Sequence, residues 1–265
     1  MAPADFRSDE SLVLRLSRAY QARMARGGDG KHNREFVDGF RQRGLEVTRL
    51  EGFSDAVFGF ALTLLVVSLD VPRNFTDLVN TMRGFPAFAV CFLLLALIWN
   101  SHYRFCRRFG LDDGLTRFLT CVLLFLVLFY VYPLKFLFNL SLNSLFGAPI
   151  PATTRITKDE LSSLLVIYGL GFAAVYFALL FLYLHAYRLR DALELSALER
   201  LDTRFAIYRI IALVAIGLIA ASLARLQWFH QWGGLIYLSI FPILRFTAIL
   251  HRRQRAPLLA ETAAH

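Results

Sequence analysis

The sequence predicts an all-α, polytopic membrane protein with six transmembrane helices. Hydrophobic residues make up 57% of the 265 residues and only 18% are charged, and the apolar residues are gathered into long blocks. A helix needs about 20 mostly apolar residues to cross the roughly 30 Å hydrocarbon core of a bilayer. Six stretches meet this requirement: 53–72, 85–103, 115–138, 161–187, 205–225 and 227–249.

Other fold classes conflict with the same pattern. A soluble helix normally keeps one polar face, whereas the stretch 161–184 contains no charged residue. Strands of a membrane barrel alternate polar and apolar residues over about 10 positions, and the apolar blocks here do not alternate. Arg209, near the start of the fifth span, is the feature that argues against that span.

The distribution of Lys and Arg predicts the orientation. Cytoplasmic loops carry an excess of basic residues. With six spans, most of the basic residues fall in the amino-terminal region, in the loops after the second and fourth spans and in the tail. We therefore expect a multi-pass protein of the cell (inner) membrane with both termini cytoplasmic. The net charge of +9 follows from this topology and from attraction to anionic lipid, so nucleic-acid binding is not needed to explain it.

The chain divides into three predicted parts. Residues 1–48 form a polar cytoplasmic extension, residues 49–250 the six-helix transmembrane domain, and residues 251–265 a cytoplasmic tail. Within the extension, residues 8–20 fit either an amphipathic helix on the membrane surface or a mobile segment. Residues 31–48 are predicted to form a short cytoplasmic helix leading into the first span.

The start of the first span carries polar residues, whose presence in a membrane-spanning helix requires an explanation. A charged side chain at bilayer depth costs roughly 2.5–3.5 kcal/mol on insertion scales, so such a residue is a functional hypothesis by default. Arg49 is expected to snorkel to the interface or to pair with a carboxylate. Three roles remain open for Ser54 and Asp55: helix capping, a buried network with other helices, or contact with a permeating ion.

Helical periodicity divides the first span into two faces. At 100° per residue, one continuous stripe is formed by Phe53, Phe60, Thr63, Leu64 and Val67. Ser54 and Asp55 fall on the other side of the helix. The stripe and the polar pair are therefore predicted to face different surroundings.

His102 ends the second span at a depth comparable to that of Ser54 and Asp55. A hydrogen bond between His102 and Asp55 would satisfy both groups and could make the protein sensitive to pH near neutrality. In the alternative, His102 is an interfacial residue that faces lipid headgroups with Trp99 and Tyr103.

These residues together carry a resemblance. Arg49-Leu-Glu-Gly-Phe53-Ser54-Asp55 opens the first span, and Trp99-Asn-Ser-His102 closes the second. Both resemble the corresponding signatures of the transmembrane protein 175 family of lysosomal and prokaryotic potassium channels. Six spans in matching order extend the resemblance over residues 49–250.

The resemblance implies a potassium-permeable channel in the lipid bilayer, a homotetramer whose first helices line a central pore. It implies an apolar constriction on that helix, with Phe53, Ser54 and Asp55 in a supporting hydrogen-bond network. The constriction falls at Phe60, where the family usually has isoleucine or leucine, and a ring of four Phe side chains is bulkier. Further pore-facing candidates are Thr63, Leu64 and Val67. Potassium is the expected permeant.

Two alternatives stay open beside the channel. One is a non-conducting or normally closed family member that acts as a scaffold, because of the Phe60 ring or the extension. The other is a proton-coupled transporter or membrane enzyme that uses Asp55 and His102. The sequence contains no phosphate loop and no nucleophile motif, and its three cysteines lack metal-ligand spacing. We therefore expect neither enzymatic activity nor a cofactor.

Overall fold

The structure, a computed structural model, describes residues 36–37, 39–67, 73–83, 85–146, 157–226 and 235–264. Apart from one two-stranded hairpin, its regular elements are helices, which confirms the predicted all-α class. The helices are α1 (Arg49–Val67), α2 (Phe75–Arg83), α3 (Phe85–Phe109), α4 (Gly114–Phe146), α5 (Lys158–Arg188), α6 (Ala197–Arg225) and α7 (Ile240–Ala264), with a short 3₁₀ helix at Leu235–Ser239 before α7.

Within the described part of the chain, four helices are long and apolar enough to cross a membrane. Their apolar segments are Phe88–Phe109, Gly114–Leu134, Asp159–Arg188 and Ala197–Arg225, and they correspond to the second to fifth predicted spans. The first and sixth predicted spans lie partly outside the described residues. The α2 helix was not predicted.

Two helix boundaries differ from the prediction. Helix α6 begins at Ala197, eight residues before the predicted span, because Ser196 and Glu199 form a capping box that starts it there. Helix α7 continues through the predicted boundary at residue 250 as far as Ala264. The predicted tail is therefore a continuation of α7, since a change from apolar to polar composition does not by itself end a helix.

The predicted helix over residues 31–48 is wrong in its described part. Strand β1 (Phe36–Val37) pairs antiparallel with β2 (Phe40–Arg41). Gly39 has a φ of 78°, a left-handed conformation that glycine adopts readily and that does not occur within a right-handed helix. The possible surface helix at residues 8–20 lies outside the described residues.

The hairpin and the segment after it are anchored to the transmembrane helices. Phe40 is fully buried, and its ring packs edge-on against that of Phe109 at 5.8 Å. The guanidinium of Arg43 donates to both carboxylate oxygens of Glu199, each at 3.0 Å. The backbone N–H groups of Arg43 and Gly44 both donate to the carbonyl of Arg107. We call residues 39–48 the anchored segment.

The most extensive contact between two described helices lies between α5 and α6. Gly169 and Gly217 face each other there, and a Cβ atom on Gly169 would lie 2.6 Å from the carbonyl oxygen of Gly217 and 2.8 Å from the side chain of Ala221. Small residues let helix backbones approach closely and gain van der Waals contact. Helices α3 and α4 pack against α5 of this pair.

We predict that Gly169→Ala lowers the thermal stability of the detergent-solubilised protein. The added methyl group collides with backbone atoms of α6, and overpacking of this kind typically costs about 1–3 kcal/mol. Gly114→Ala is the matched control, because a Cβ atom there meets nothing within 4 Å. Equal melting temperatures for the two variants would show that the close contact is not needed.

Candidate functional site

Helix α1 packs against the bundle with one face only. The buried side chains of its described part are Glu51, Ser54, Phe58, Ala61 and Leu65, and they follow the spacing of one helical face. This face contacts α3 and α4. The rotation of α1 therefore places one row of residues against the protein and leaves the opposite row uncovered in the single chain.

The uncovered row contains most of the predicted stripe. Phe60 is 59% exposed and Phe53 is 55% exposed, Thr63 is also exposed, and Leu64 is half-buried. The side chain of Val67 lies outside the described residues. Phe53 shares this uncovered side in the single chain, whereas the family resemblance implied a place in the network behind α1.

Small residues accompany the uncovered row. Gly52, Ala56 and Gly59 are all exposed, and a Cβ atom on either glycine would meet nothing within 4 Å. The hydroxyl of Thr63 donates to the carbonyl of Phe60 at 2.7 Å, so this hydrogen-bond donor is already satisfied within α1. The uncovered surface is therefore apolar and open to close approach by another helix.

Ser54 and Asp55 have different surroundings. Ser54 is fully buried, and its hydroxyl donates to the carbonyl of Leu50 at 2.8 Å. Asp55 is exposed, and its carboxylate accepts a hydrogen bond of 2.7 Å from the indole nitrogen of Trp99. The Trp99 ring stacks on Tyr103 at 5.5 Å. The Asp55–Trp99 bond thus ties α1 to α3 at the edge of the packed face.

The predicted hydrogen bond between His102 and Asp55 is not formed. His102 is 1% exposed and faces Thr120 of α4, with 3.5 Å between its Nε2 and the Thr120 hydroxyl oxygen. The rings of Phe58 and Phe105 lie near it, with centroid distances of 6.3 and 6.5 Å. The rotation of α3 turns His102 toward α4 and leaves Trp99 as the partner of Asp55. The alternative of an interfacial His102 facing headgroups is also wrong.

Arg107, and not Arg49, pairs with a carboxylate near the start of α1. Arg49 is exposed and forms no ion pair with Asp55 or with another described carboxylate. The buried carboxylate near the start of α1 is instead that of Glu51, which lies 3.1 Å from the guanidinium of Arg107. The two groups form an ion pair without a direct hydrogen bond. Arg107 also donates to the carbonyl of Gly44 at 2.7 Å.

This ion pair was not predicted from the sequence, although the position of Glu51 in the first turn of α1 could be read there. Thr48 and Glu51 have the spacing of a capping box, and the backbone N–H of Glu51 donates to the Thr48 hydroxyl at 3.1 Å. That spacing marks the start of α1 at Arg49. It does not reveal that Arg107, 56 positions along the chain, supplies the counter-charge.

A second polar contact holds the loop between α3 and α4. Asp113 accepts hydrogen bonds from the Thr116 hydroxyl and, at 3.0 Å, from Nε2 of His185 at the end of α5. Burial acts to raise the pKa of Asp113, but the hydrogen bonds and the charge of His185 outweigh it and lower that pKa below its usual value. Among the described residues no His, Cys, Asp and Glu side chains cluster in a way that could hold a metal ion.

Comparison with known proteins identifies the family. The family model described as the endosomal/lysosomal potassium channel TMEM175 matches residues 49–130, which include α1, α2 and α3. A potassium channel from Marivirga tractuosa is 34% identical over 220 residues, covering 77% of this chain and 87% of the relative. The chain belongs to the TMEM175 family.

This TMEM175 family member also resembles solved structures. A crystal structure of a variant of the potassium channel MtTMEM175, in complex with a nanobody–MBP fusion, aligns with a TM-score of 0.72 at 33% identity, over 83% of this chain and 98% of that one. A lysosomal potassium-selective TMEM175 homologue from Chamaesiphon minutus aligns with a TM-score of 0.53 at 21% identity, over 77% of this chain and 96% of that one. The second likeness supports the fold alone.

We predict a coupling energy between Trp99 and Asp55. Trp99→Phe and Asp55→Asn each weaken a hydrogen bond to a charged group, and such bonds contribute about 1.5–3 kcal/mol. In a double-mutant cycle on thermal stability, the second substitution should therefore cost clearly less when the first is already present. Strictly additive effects would mean that the two side chains do not interact in the folded protein.

We also predict a pH-dependent effect of Asp113→Asn. Because the native pKa of Asp113 is lowered, its contribution to stability is present above the unfolded value of about 4 and is lost as the pH falls through the native pKa. The melting temperature of Asp113→Asn should lie below that of the wild type at neutral pH, and the difference should shrink on acidification. Asp112→Asn is the control, since Asp112 is more exposed and lies 3.9 Å from its partner Arg117. A pH-independent difference for Asp113→Asn would contradict the assignment.

Proposed function

We propose that this chain forms a potassium-permeable channel in the cell membrane, in which α1 helices from four copies line a central pore. Membership of the TMEM175 family supports the activity, since the relative from Marivirga tractuosa is a potassium channel of nearly the same extent. The observation that carries the proposal is the uncovered face of α1. It lies in the helix at which the family match begins, and its apolar side chains have no partner within one described chain.

The constriction of this pore is assigned to Phe60. Among the large apolar side chains of α1 that the structure describes, it is the most exposed, and it lies between the small residues Ala56 and Gly59 on one side and Thr63 on the other. Rings of apolar side chains gate ion flow by excluding water from a narrow passage. Leu64 and Val67 form the next layers along the same stripe.

The packed face is assigned a supporting role. Ser54 is buried, Glu51 is paired with Arg107, and Asp55 is bonded to Trp99. These contacts fix the rotation of α1 about its own axis and so fix which residues face the pore. None of them requires Asp55 to touch a permeating ion.

We assign α1 and the segment that ends in α7 to the two remaining membrane spans. The contacts between helix ends support six crossings with both termini on the cytoplasmic side. The start of α1, the end of α3 and the turn before α6 all meet the anchored segment. His251 of α7 lies 2.6 Å from Asp202, near the start of α6. These ends share one side of the bundle, the same side that receives most of the basic residues.

We predict that Phe60→Ala increases potassium flux through liposomes that contain the purified protein. Removal of four rings widens the constriction and favours its hydration. Phe125→Ala is the matched control, because Phe125 of α4 is a similarly exposed phenylalanine, 68% exposed, on a helix that is not assigned to the pore. Flux is measured with a potassium-sensitive dye against empty liposomes.

Three outcomes have distinct meanings. An increase for Phe60→Ala alone supports the assigned constriction. If the wild type conducts and Phe60→Ala does not change the flux, another layer of side chains forms the constriction. No flux for the wild type or for Phe60→Ala would contradict the proposed channel function and favour the scaffold alternative.

A further inference from the structure

The last turns of α7 run alongside the start of α6. Nε2 of His251 lies 2.6 Å from one carboxylate oxygen of Asp202. One turn further along α7, the guanidinium of Arg255 lies 3.4 Å from the other oxygen of the same carboxylate. We call residues 251–264, which were predicted to form a separate part of the chain, the α7 tail.

An apolar contact continues this attachment beyond a proline. Pro257 lies inside α7, where a missing N–H and a crowded preceding turn typically cost about 3 kcal/mol or more. Leu259 follows it, is buried, and packs on Leu198 of α6 with Leu258 beside them. The helix beyond Pro257 is therefore supported by its packing on α6. Because the contacts approach the start of α6 as they approach the end of α7, the two segments are antiparallel.

Charge as well as packing holds the α7 tail to α6. The side chain of Asp202 is only 6% exposed, and each of its oxygens faces a nitrogen of the α7 tail. A buried carboxylate is costly unless it is paired, and removal of one partner of such a pair is strongly destabilising. Detachment of the α7 tail would take both of these partners away from Asp202.

The same two turns of α6 hold the anchored segment through another side chain. Glu199 follows Leu198 directly along α6. Its carboxylate accepts hydrogen bonds from the backbone N–H of Arg41 at 2.8 Å and from the guanidinium of Arg43. One residue corresponds to 100° around a helix, so Glu199 points away from the face that Leu198 and Asp202 share. The start of α6 therefore stands between the α7 tail and the anchored segment.

The anchored segment carries the restraint on to α1. The backbone N–H groups of Arg43 and Gly44 donate to the carbonyl of Arg107. The guanidinium of Arg107 pairs with Glu51 in the first turn of α1 and donates to the carbonyl of Gly44. Ion pairs, hydrogen bonds and packing contacts thus connect the end of α7 with the beginning of α1, through α6 and the anchored segment.

We propose that the α7 tail is a clamp that restrains the start of α1, and that its release increases potassium flux. The effect on flux rests on the function proposed above, whereas the restraint does not. Release of the α7 tail loosens the start of α6, then the anchored segment, and then the first turn of α1, whose rotation fixes the place of Phe60. A ring of Phe60 side chains that is held less firmly excludes water less completely.

Hydrogen–deuterium exchange of the full-length, detergent-solubilised protein tests the restraint. Arg255→Gln and Leu259→Ala each remove one contact of the α7 tail and leave the anchored segment unchanged in sequence. Both variants should speed the exchange of residues 39–48 about fivefold or more, the lower end of typical couplings between distant sites, because local opening becomes easier. The α7 tail itself should exchange faster as well. Residues 169–180 in the middle of α5 should be unchanged, since they lie outside this series of contacts.

Arg253→Gln is the matched control. Arg253 lies two positions before Arg255 on the same helix and is exposed, and the substitution removes the same charge, so its exchange should match that of the wild type. The restraint would be wrong if the α7 tail exchanged faster while residues 39–48 did not, or if exchange rose equally along the whole chain. It would also be wrong if the control had the same effect, or if neither variant loosened the α7 tail.

Flux through liposomes tests the consequence for conduction. Potassium flux should be about fivefold higher or more in Arg255→Gln and Leu259→Ala than in the wild type and in Arg253→Gln. Unchanged flux together with faster exchange of residues 39–48 would show that the clamp does not act on the pore. If neither the wild type nor Phe60→Ala conducts, the proposed channel function fails, and the exchange result still decides whether the clamp exists.

Discussion

The ion pair between the buried Glu51 and the half-buried Arg107 anchors the helix on which the rest of the molecule depends. It lies at the first turn of α1, where Thr48 caps the helix. Removing one partner of a buried pair leaves an uncompensated charge, which is strongly destabilising. Arg107 also binds the backbone just before α1, so a single side chain fixes both the entry and the rotation of the helix. That rotation decides that Phe58 is buried and Phe60 is exposed.

The anchored segment extends this constraint across the bundle. Arg43 donates to both oxygens of Glu199, which at the same time closes the capping box of α6. The start of α1 is therefore linked through one short segment to the start of α6 and, through Arg107, to the end of α3. On the far side of α1 there is no comparable restraint within the described chain. A helix held on one face and uncovered on the other is suited to meet identical helices at a symmetry axis.

Much of the architecture follows from the sequence, because hydropathy and helical period are local properties. They predict the long helices and the two faces of α1. The partner of Asp55 does not follow from them, since choosing between Trp99 and His102 requires the rotation of α3 relative to α1. The hairpin was missed because its strands have two residues each and are held by Glu199, more than 150 positions away. The early start of α6 was readable from Ser196 and Glu199 as a capping box.

Disulfide cross-linking at position 60 tests most directly whether the uncovered face of α1 meets its copies. Phe60→Cys is placed in a background in which Cys91, Cys106 and Cys121 are replaced by alanine, and membranes are oxidised before electrophoresis. The account predicts cross-linked dimers for Phe60→Cys and monomers for Phe125→Cys, whose side chain on α4 is equally uncovered in the single chain. Cross-links at position 125 with none at position 60 would contradict a pore lined by α1.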